Sequence, residues 1–226
     1  MKSLILWDID GTLLTARRPP GKSLHCRAIS NLGFIVNEPF FNTAGVTDSE
    51  ILSKIFEQEK ISYDLALIRK SLQALDDESI TVDKQTVFET CLGINDFFHS
   101  ELAGIFVHGI LTGNTLARAT NKLQAVNLLN KFNSDYIFTC GTGETRSQIA
   151  NRATAKLNIS GFHSIIVIGD TPADIGVARA LGVYSISTAT GSFSVGDLLK
   201  FQPDLAISNF QEDLKDLLIF LSLRLH

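Results

Sequence analysis

Two aspartates, Asp8 and Asp10, stand one residue apart directly after the apolar run of residues 4–6, and Gly11 and Thr12 then turn the chain. Such a run is typical of a buried parallel strand. The carboxyl ends of parallel strands are where ligands bind in open α/β sheets. Two carboxylates there attract a hard cation such as Mg²⁺, and they also offer a nucleophile and a proton-transfer group. The alternative is a turn or helix cap that holds two aspartates without any chemistry.

Polar residues also follow two other predicted strands. The strands are residues 105–111 and 164–168, and the residues after them are Thr112, Gly113, Asn114, Asp170 and Asp174. Parallel strands end at the same edge of a sheet, so we expect these groups to meet Asp8 and Asp10 there. A Mg²⁺ ion would relieve the repulsion between the carboxylates and neutralise a phosphate group. Asp174 also has the spacing of a capping box with Thr171, so its role in capping or in metal binding stays open.

Strands and helices alternate through the second half of the chain. The strands after the one at 105–111 are predicted at 135–138, 164–168 and 183–187, and the helices at 123–132, 145–157 and 171–181. This order predicts an α/β fold with a doubly wound, parallel, Rossmann-like sheet and right-handed crossovers.

The segment between the first strand and this alternation has a different pattern. Residues 17–21 are typical of a loop, and residues 22–90 are helical in pattern, with no convincing strand. Apolar stripes at helical spacing run through Ile51, Leu52, Ile55 and Phe56 and again through Leu65, Ile68, Leu72 and Leu75. We therefore predict a core of residues 1–15 and 90–226 and an inserted α-helical cap of residues 16–89.

Composition excludes several classes of protein. The chain of 226 residues is 45% hydrophobic, has a net charge of −4 and contains three scattered cysteines. It has no dense basic run, so nucleic acid is not an expected partner. It has no apolar stretch long enough to cross a membrane and no signal peptide pattern. Unpaired cysteines fit a reducing compartment, and a cytoplasmic location is expected.

The motifs together resemble those of the haloacid dehalogenase-like hydrolases, and in particular phosphoglycolate phosphatase-like members with an α-helical cap. Residues 8–13 are similar to the first motif of that superfamily, residues 111–114 to the second and residues 169–174 to the fourth. The resemblance covers nearly the whole chain. It implies a Mg²⁺-dependent phosphatase that acts through an aspartyl-phosphate intermediate.

The resemblance also implies roles for individual residues. Asp8 would be the nucleophile and Asp10 the general acid and base. The phosphate would be bound by Thr112, Gly113 and Asn114. The metal ligands would be Asp8, the backbone carbonyl of Asp10, Asp170 and, if it does more than cap its helix, Asp174.

The third motif of the family is where the chain departs from the pattern, because a lysine is expected there. Lys156 lies only 14 residues before Asp170, whereas Arg146 lies 24 residues before it, near a predicted helix start. We therefore assign the role to Arg146, with Arg152 as a further candidate. A solvated arginine on a helix face is the alternative for Arg146.

The substrate is expected to be a small phosphorylated metabolite selected by the insert. Thr47 lies in a loop that resembles a substrate-binding cap loop, although Val46 stands where a basic residue is common. A plain helix cap is the alternative for Thr47. Arg17 or Arg18, at the hinge into the cap, could contact a substrate anion instead, but we expect both to be solvated hinge residues. A phosphotransferase such as a beta-phosphoglucomutase-like enzyme, or a non-catalytic binding protein, is the alternative function. The protein is expected to be a monomer or a homodimer.

Overall fold

The computed structural model describes residues 2–18, 20–157 and 159–225. Pro19, which belongs to the predicted loop after the first strand, lies outside the described residues. The strands are β1 (Lys2–Trp7), β2 (Leu14–Arg17), β3 (Val87–Thr90), β4 (Val107–Leu111), β5 (Ile137–Phe138), β6 (Phe162–Gly169), β7 (Tyr184–Thr188) and β8 (Leu205–Ile207). The α-helices are α1 (Leu24–Asn31), α2 (Asp48–Gln58), α3 (Leu65–Asp83), α4 (Ile94–His99), α5 (Leu116–Ala125), α6 (Arg146–Lys156), α7 (Pro172–Leu181), α8 (Val195–Leu199) and α9 (Leu214–Ser222).

The main sheet of the described chain has six strands in the order β5-β4-β1-β6-β7-β8. Every neighbouring pair is parallel. The chain first builds outward from β1 through β4 to β5, and then returns to the other side of β1 with β6. The order therefore reverses between β1 and β6, and ligands bind at such a switch point in doubly wound sheets. The predicted Rossmann-like sheet is confirmed.

Strand β1 is buried on both faces, which explains its continuous apolar sequence. Ile5 and Trp7 pack into the core under α4, α5 and α9, and Leu4 and Leu6 pack into the core under α6 and α7. The indole N–H of Trp7 donates to Nδ1 of His108 at 3.0 Å, so the one polar atom of this buried ring has a partner. Burial from both sides fixes the end of β1, and with it the position of the residues that follow.

Helices α1, α2 and α3 form a helical insert with an apolar core of its own. The predicted stripe on α2 is buried, with Leu52, Ile55 and Phe56 fully inside. The side chain of Thr47 caps α2 by accepting the backbone N–H of Glu50 at 3.1 Å. Among the described residues, no helix is both long and apolar enough to cross a membrane.

The prediction that residues 22–90 contain no strand is wrong, because β3 lies within them. It pairs antiparallel with β2, from Leu14 opposite Thr90 to Arg17 opposite Val87. This pairing also makes Arg17 the end of a strand rather than part of a loop. Strand β3 is short and at most half-buried, so its sequence carries no apolar run, and a partner remote in sequence supplies its hydrogen bonds. The predicted domain boundaries fall within this two-stranded ribbon, and the division itself stays a prediction.

Three other elements lie elsewhere than predicted. Helix α5 begins at Leu116, because the Thr115 side chain caps it, and it ends before Asn127, which has a positive φ of 57°. The apolar stripe of the helix predicted at 123–132 instead ends in a short 3₁₀ turn before Phe132. Strands β4 and β5 are shorter than predicted, since 3₁₀ turns precede both. The shift of α5 matters for the site, because it brings a helix start directly behind Thr112.

Candidate active site

The strand ends converge on a cleft of about 350 Å³ at the switch point of the sheet. Asp8, Asp10, Thr112 and Asp170 line it from the sheet, and the loop of residues 42–46 lines it from the helical insert. Gly113, Asn114 and Arg146 line it as well. The predicted convergence of these residues is thus present in the fold.

The turn after β1 is shaped to hold Asp8 against Asp170. The backbone N–H of Asp8 donates to the carbonyl of Ile168 at 2.9 Å, which extends the β1–β6 pairing to Asp8. Gly11 has φ +79°, and a Cβ built there would lie 2.5 Å from Oδ2 of Asp170. Only glycine combines this backbone conformation with so close an approach. The hydroxyl of Thr12 then donates to Oδ1 of Asp170 at 3.2 Å.

Three buried carboxylates lie close to one another, and two of them, Asp8 and Asp170, line the cleft. One carboxylate oxygen from each of Asp8, Asp170 and Asp174 lies within 4.8 Å of the other two. Burial raises the pKa of Asp8, although the charge of Arg146 opposes part of that rise. Burial and the neighbouring Asp8 raise the pKa of Asp170 to about 7. A positive charge bound among these carboxylates would therefore stabilise their ionised forms.

The donor set of this triad fits a hard divalent cation. All of its ligand atoms are carboxylate oxygens, which Mg²⁺ prefers. Burial, and after it the charge of a neighbouring carboxylate, raises the pKa of Asp170, and a bound cation would offset both effects. Asp10 does not belong to the triad, since its carboxylate contacts Lys122 instead. Asp174 has two further contacts. Its Oδ2 completes the capping box with Thr171 and its Oδ1 pairs with Arg146.

Arg146 connects two members of the triad. It is the first residue of α6, and Thr145 before it caps the helix. Its Nη1 donates to Oδ1 of Asp8 at 3.2 Å, while its Nη2 donates to Asp174. A guanidinium keeps its proton and holds a planar fork of donors, so it can fix the orientation of the Asp8 carboxylate. Arg146 is 7% exposed, so the alternative of a solvated arginine on a helix face does not hold.

The two other basic candidates from that helix lie away from the cleft. Arg152 pairs with Glu144 at 2.9 Å, and Lys156 is exposed near the ring of Phe138. Both positions follow from the helical period, because residues six and ten positions after Arg146 face a different direction.

A second cation, Lys122 of α5, holds the Asp10 side chain. Its ammonium donates to Asp10 Oδ1 at 2.7 Å and to Asn114 Oδ1 at 2.7 Å. Asn114 in turn donates to Asp10 Oδ2 at 2.7 Å and to the Thr112 hydroxyl at 3.0 Å. Enclosure in the cleft would raise the pKa of Asp10, but Lys122 and Arg118 outweigh it and lower the pKa to about 2. Asp10 is thus ionised and fixed in place, with 47% of its side chain exposed.

The insert touches the sheet side of the site at Thr47 and Gly113. A Cβ built on Gly113 would lie 3.0 Å from Cα of Thr47, and the carbonyl of Gly113 accepts the N–H of Asp48 at 2.8 Å. The hydroxyl of Thr47 donates to the carbonyl of Glu144 at 2.7 Å while it caps α2. Thr47 therefore serves as a helix cap and as a bridge to the loop before α6. It lies beside the cleft rather than on its surface.

A buried ion pair also connects the insert to the sheet domain. Asp48 accepts hydrogen bonds from Arg118, from Nε2 of His25 at 3.0 Å and from the N–H of Thr115 at 2.9 Å. Burial would raise the pKa of Asp48, but the charge of Arg118 and the bond from His25 hold it well below its usual range. This pair joins α2 to α5 across the cleft.

Replacement of Asp48 by asparagine is therefore expected to lower the free energy of unfolding by about 3–5 kcal/mol at neutral pH, because it leaves Arg118 buried without its counter-charge. Urea denaturation measures this, with D135N as a control at an exposed aspartate. The folded pKa of Asp48 is depressed, so its contribution is present above its ordinary pKa and is lost as pH falls through the folded value. The difference in the free energy of unfolding between wild type and D48N should therefore become smaller in acid. A difference that stays constant would contradict the ion-pair explanation.

Three residues of the site were not expected from the sequence: Lys122, Arg118 and Asp48. Lys122 was missed because the basic residue was sought only in the stretch before Asp170. A signal was present, since Arg118 and Lys122 are one helical turn apart and share a face with Ala119 and Leu123. Charged residues at apolar positions of a helix indicate a buried site for them.

Several solved structures have a fold similar to that of this chain. The chain resembles the crystal structure of a hydrolase from Pseudomonas syringae, with a TM-score of 0.66 and 18% identity over 96% of this chain and 98% of that one. It resembles a predicted phosphoglycolate phosphatase from Haemophilus somnus, with a TM-score of 0.68 and 15% identity over 95% and 97% of the two chains. It also resembles CbbY from Rhodobacter sphaeroides in complex with phosphate, with a TM-score of 0.68 and 16% identity over 94% and 96%.

No curated protein matches the chain significantly. The family model of the haloacid dehalogenase-like hydrolases, however, matches residues 2–182, which include the ends of β1, β4 and β6 that line the cleft. The order of the sheet, the carboxylates after β1 and β6 and this match agree with one another, and the chain belongs to the haloacid dehalogenase-like hydrolase family.

Proposed function

We propose that the protein is a Mg²⁺-dependent phosphatase that hydrolyses a small phosphorylated metabolite through an aspartyl-phosphate on Asp8. The observation that carries this proposal is the buried triad of Asp8, Asp170 and Asp174, of which Asp8 and Asp170 line the cleft. Asp8 is the member that combines a cleft position with a guanidinium on its carboxylate. The resemblance to a phosphate complex of similar fold supports the same substrate chemistry.

In this mechanism the Asp8 carboxylate attacks phosphorus, and the ester oxygen leaves as the bond to it breaks. Arg146 holds Asp8 in the orientation for attack. The Thr112 hydroxyl and the backbone N–H groups of Gly113 and Asn114 bind oxygens of the transferring group. Such groups contribute mainly by position and charge, which dominate phosphoryl transfer.

Asp10 would transfer the protons of both steps. The incoming phosphate adds negative charge beside Asp10 and raises its pKa from about 2, which is the direction that a general acid needs. Asp10 protonates the leaving oxygen, and it then takes a proton from the water that attacks the aspartyl-phosphate. Lys122 and Asn114 keep its carboxylate facing the cleft during both steps.

Asp8 and Asp170 would hold the Mg²⁺ ion, together with the backbone carbonyl of Asp10. Asp174 would act at the edge of this set, because both of its oxygens already have partners. When bound, the ion supplies positive charge that offsets the carboxylates and the phosphate.

Activity is expected to require Mg²⁺, because the crowded carboxylates otherwise repel the phosphate. Purified protein is incubated with a panel of phosphorylated metabolites, and release of inorganic phosphate is measured with Mg²⁺ and with EDTA. D170A should raise the Mg²⁺ concentration for half-maximal rate by at least about tenfold, whereas D197A, on an exposed carboxylate, should not. Undiminished hydrolysis in EDTA would contradict the metal assignment.

The same panel separates the alternatives. Transfer of phosphate to an added sugar without release to water would indicate a phosphotransferase. Phosphate binding without turnover of any compound would indicate a binding protein. We also propose a cytoplasmic location and a monomeric or homodimeric state. The free thiols of Cys26, Cys91 and Cys140 are consistent with a reducing compartment.

A further inference from the structure

Three arginines that line the cleft, Arg18, Arg118 and Arg146, have buried N–H groups without a hydrogen-bond partner among the described residues, and Arg18 has two of them. Arg18 follows β2 and Arg118 lies on α5, and both line the cleft. Among the described residues, no hydrogen-bond acceptor meets Nε and Nη2 of Arg18 or Nε of Arg118 and Arg146, although all four atoms are buried. Buried donors without acceptors are rare and costly, which points to a group that completes them.

The cations of the cleft differ in how their charge is balanced. Within the described residues, Lys122 pairs with Asp10, Arg146 with Asp8 and Asp174, and Arg118 with Asp48. Arg18 has no ion pair among the described residues. Val46, at the position where a basic residue is common, adds no charge to the cleft. Arg18 therefore lines the cleft without the ion pair that each of the other three cations makes, although the charges of Asp10, Asp83 and Asp48 act on it.

Asp10 and Asp83 both raise the pKa of Arg18, Asp10 more strongly, but neither forms a hydrogen bond or ion pair with it in the described part of the chain. Asp83 is the last residue of α3. Both of its carboxylate oxygens are buried and lack a hydrogen-bond partner in the described chain, as do the Arg18 donors. Burial and the nearby Arg118 act in the opposite direction and lower the pKa of Arg18. A guanidinium nevertheless stays protonated in proteins, so its charge needs an anion.

We propose that the cleft binds substrates with a second anionic group, a carboxylate or a second phosphate, which the Arg18 guanidinium holds. The inference rests on the proposed phosphatase function. Nε and Nη2 are the two nitrogens of one side of the guanidinium, and together they match two oxygens of such a group. A phosphoester with a neutral end would leave both donors unpaired, so the preference for an anionic end should be large.

The test uses phosphoesters of increasing chain length that end in a carboxylate, each matched with the amide of the same length. The wild-type protein should favour the best carboxylate over its amide by about tenfold to a hundredfold in kcat/KM. R18Q should reduce this ratio by about tenfold or more. Bisphosphates of the same lengths, compared with the monophosphates, show whether the second group is a phosphate instead.

Arg17 gives a matched control, because it is the neighbouring residue, carries the same charge and is exposed. R17Q should keep the wild-type ratio of kcat/KM for the carboxylate to kcat/KM for its amide. R18K, which keeps the charge but loses the fork, should keep part of it, and it serves as the folded reference if R18Q is unstable. An equal loss in R17Q and R18Q, or no preference for either anionic end in the wild type, would overturn the proposal.

A binding measurement makes failure of this proposal distinguishable from failure of the phosphatase function. Calorimetry with phosphonates that end in a carboxylate or its amide needs no turnover. Tighter binding of the carboxylate by wild type but not by R18Q supports the second anion position even if no ester is hydrolysed. Hydrolysis of esters together with equal binding of both phosphonates would reject the position and leave the phosphatase function intact.

Discussion

D8N is expected to lower kcat by at least about 10⁴-fold, because an amide cannot attack phosphorus and no other side chain replaces it. The fold should persist, since the amide can keep its bond to Arg146 through its oxygen. The measurement is phosphate release under saturating Mg²⁺, with circular dichroism to compare the folded state. D197N, which removes an exposed carboxylate, is the control and should retain full activity.

The same mechanism predicts where phosphate is found during turnover. Mass spectrometry of wild-type protein, quenched in acid while it hydrolyses substrate, should find phosphate on the peptide that contains Asp8. D8N treated in the same way should carry none. Phosphate on a serine, threonine or histidine, or full activity of D8N, would reject Asp8 as the nucleophile.

R146A is expected to lower kcat/KM by about 10²-fold or more, the range for loss of one preorganised charge-stabilising group. Arg146 donates to Asp8 from a buried position, so its loss frees the nucleophile and removes a fixed positive charge. K156A is the matched control on the same helix and should change little, since Lys156 is exposed. The opposite result would return the family's lysine role to Lys156.

The structure adds Lys122 to this comparison, and a second readout separates the two cations. K122M should also lower kcat/KM, but through Asp10 rather than through Asp8. Lys122 lowers the pKa of Asp10, so its removal should raise that pKa from about 2. Carboxyl chemical shifts followed against pH should show the rise in K122M and not in R146A. An unchanged Asp10 titration in K122M would contradict the positioning role of Lys122.

The strand ends and their convergence were predictable from sequence. The apolar run before Asp8 and the strand before Asp170 are buried on both faces, and such strands appear in sequence as unbroken hydrophobic runs. Parallel pairing then requires their carboxyl ends to meet at one edge. The sequence alone therefore places Asp8, Thr112 and Asp170 together. The glycine directly after Asp10 also predicted a tight turn at this point.

The pairing of charges was decided only by the tertiary structure. Arg146 and Lys122 have equal formal charge, and local sequence does not say which carboxylate each one meets. Their partners depend on the angle at which α5 and α6 pack on the sheet and on where each helix begins. Strand β3 and the ion pair of Asp48 with Arg118 also depend on the tertiary structure, because in each case the partner is remote in the chain. Short-range periodicity fixes which face of an element is buried, but the identity of the opposing side chain depends on how the elements pack.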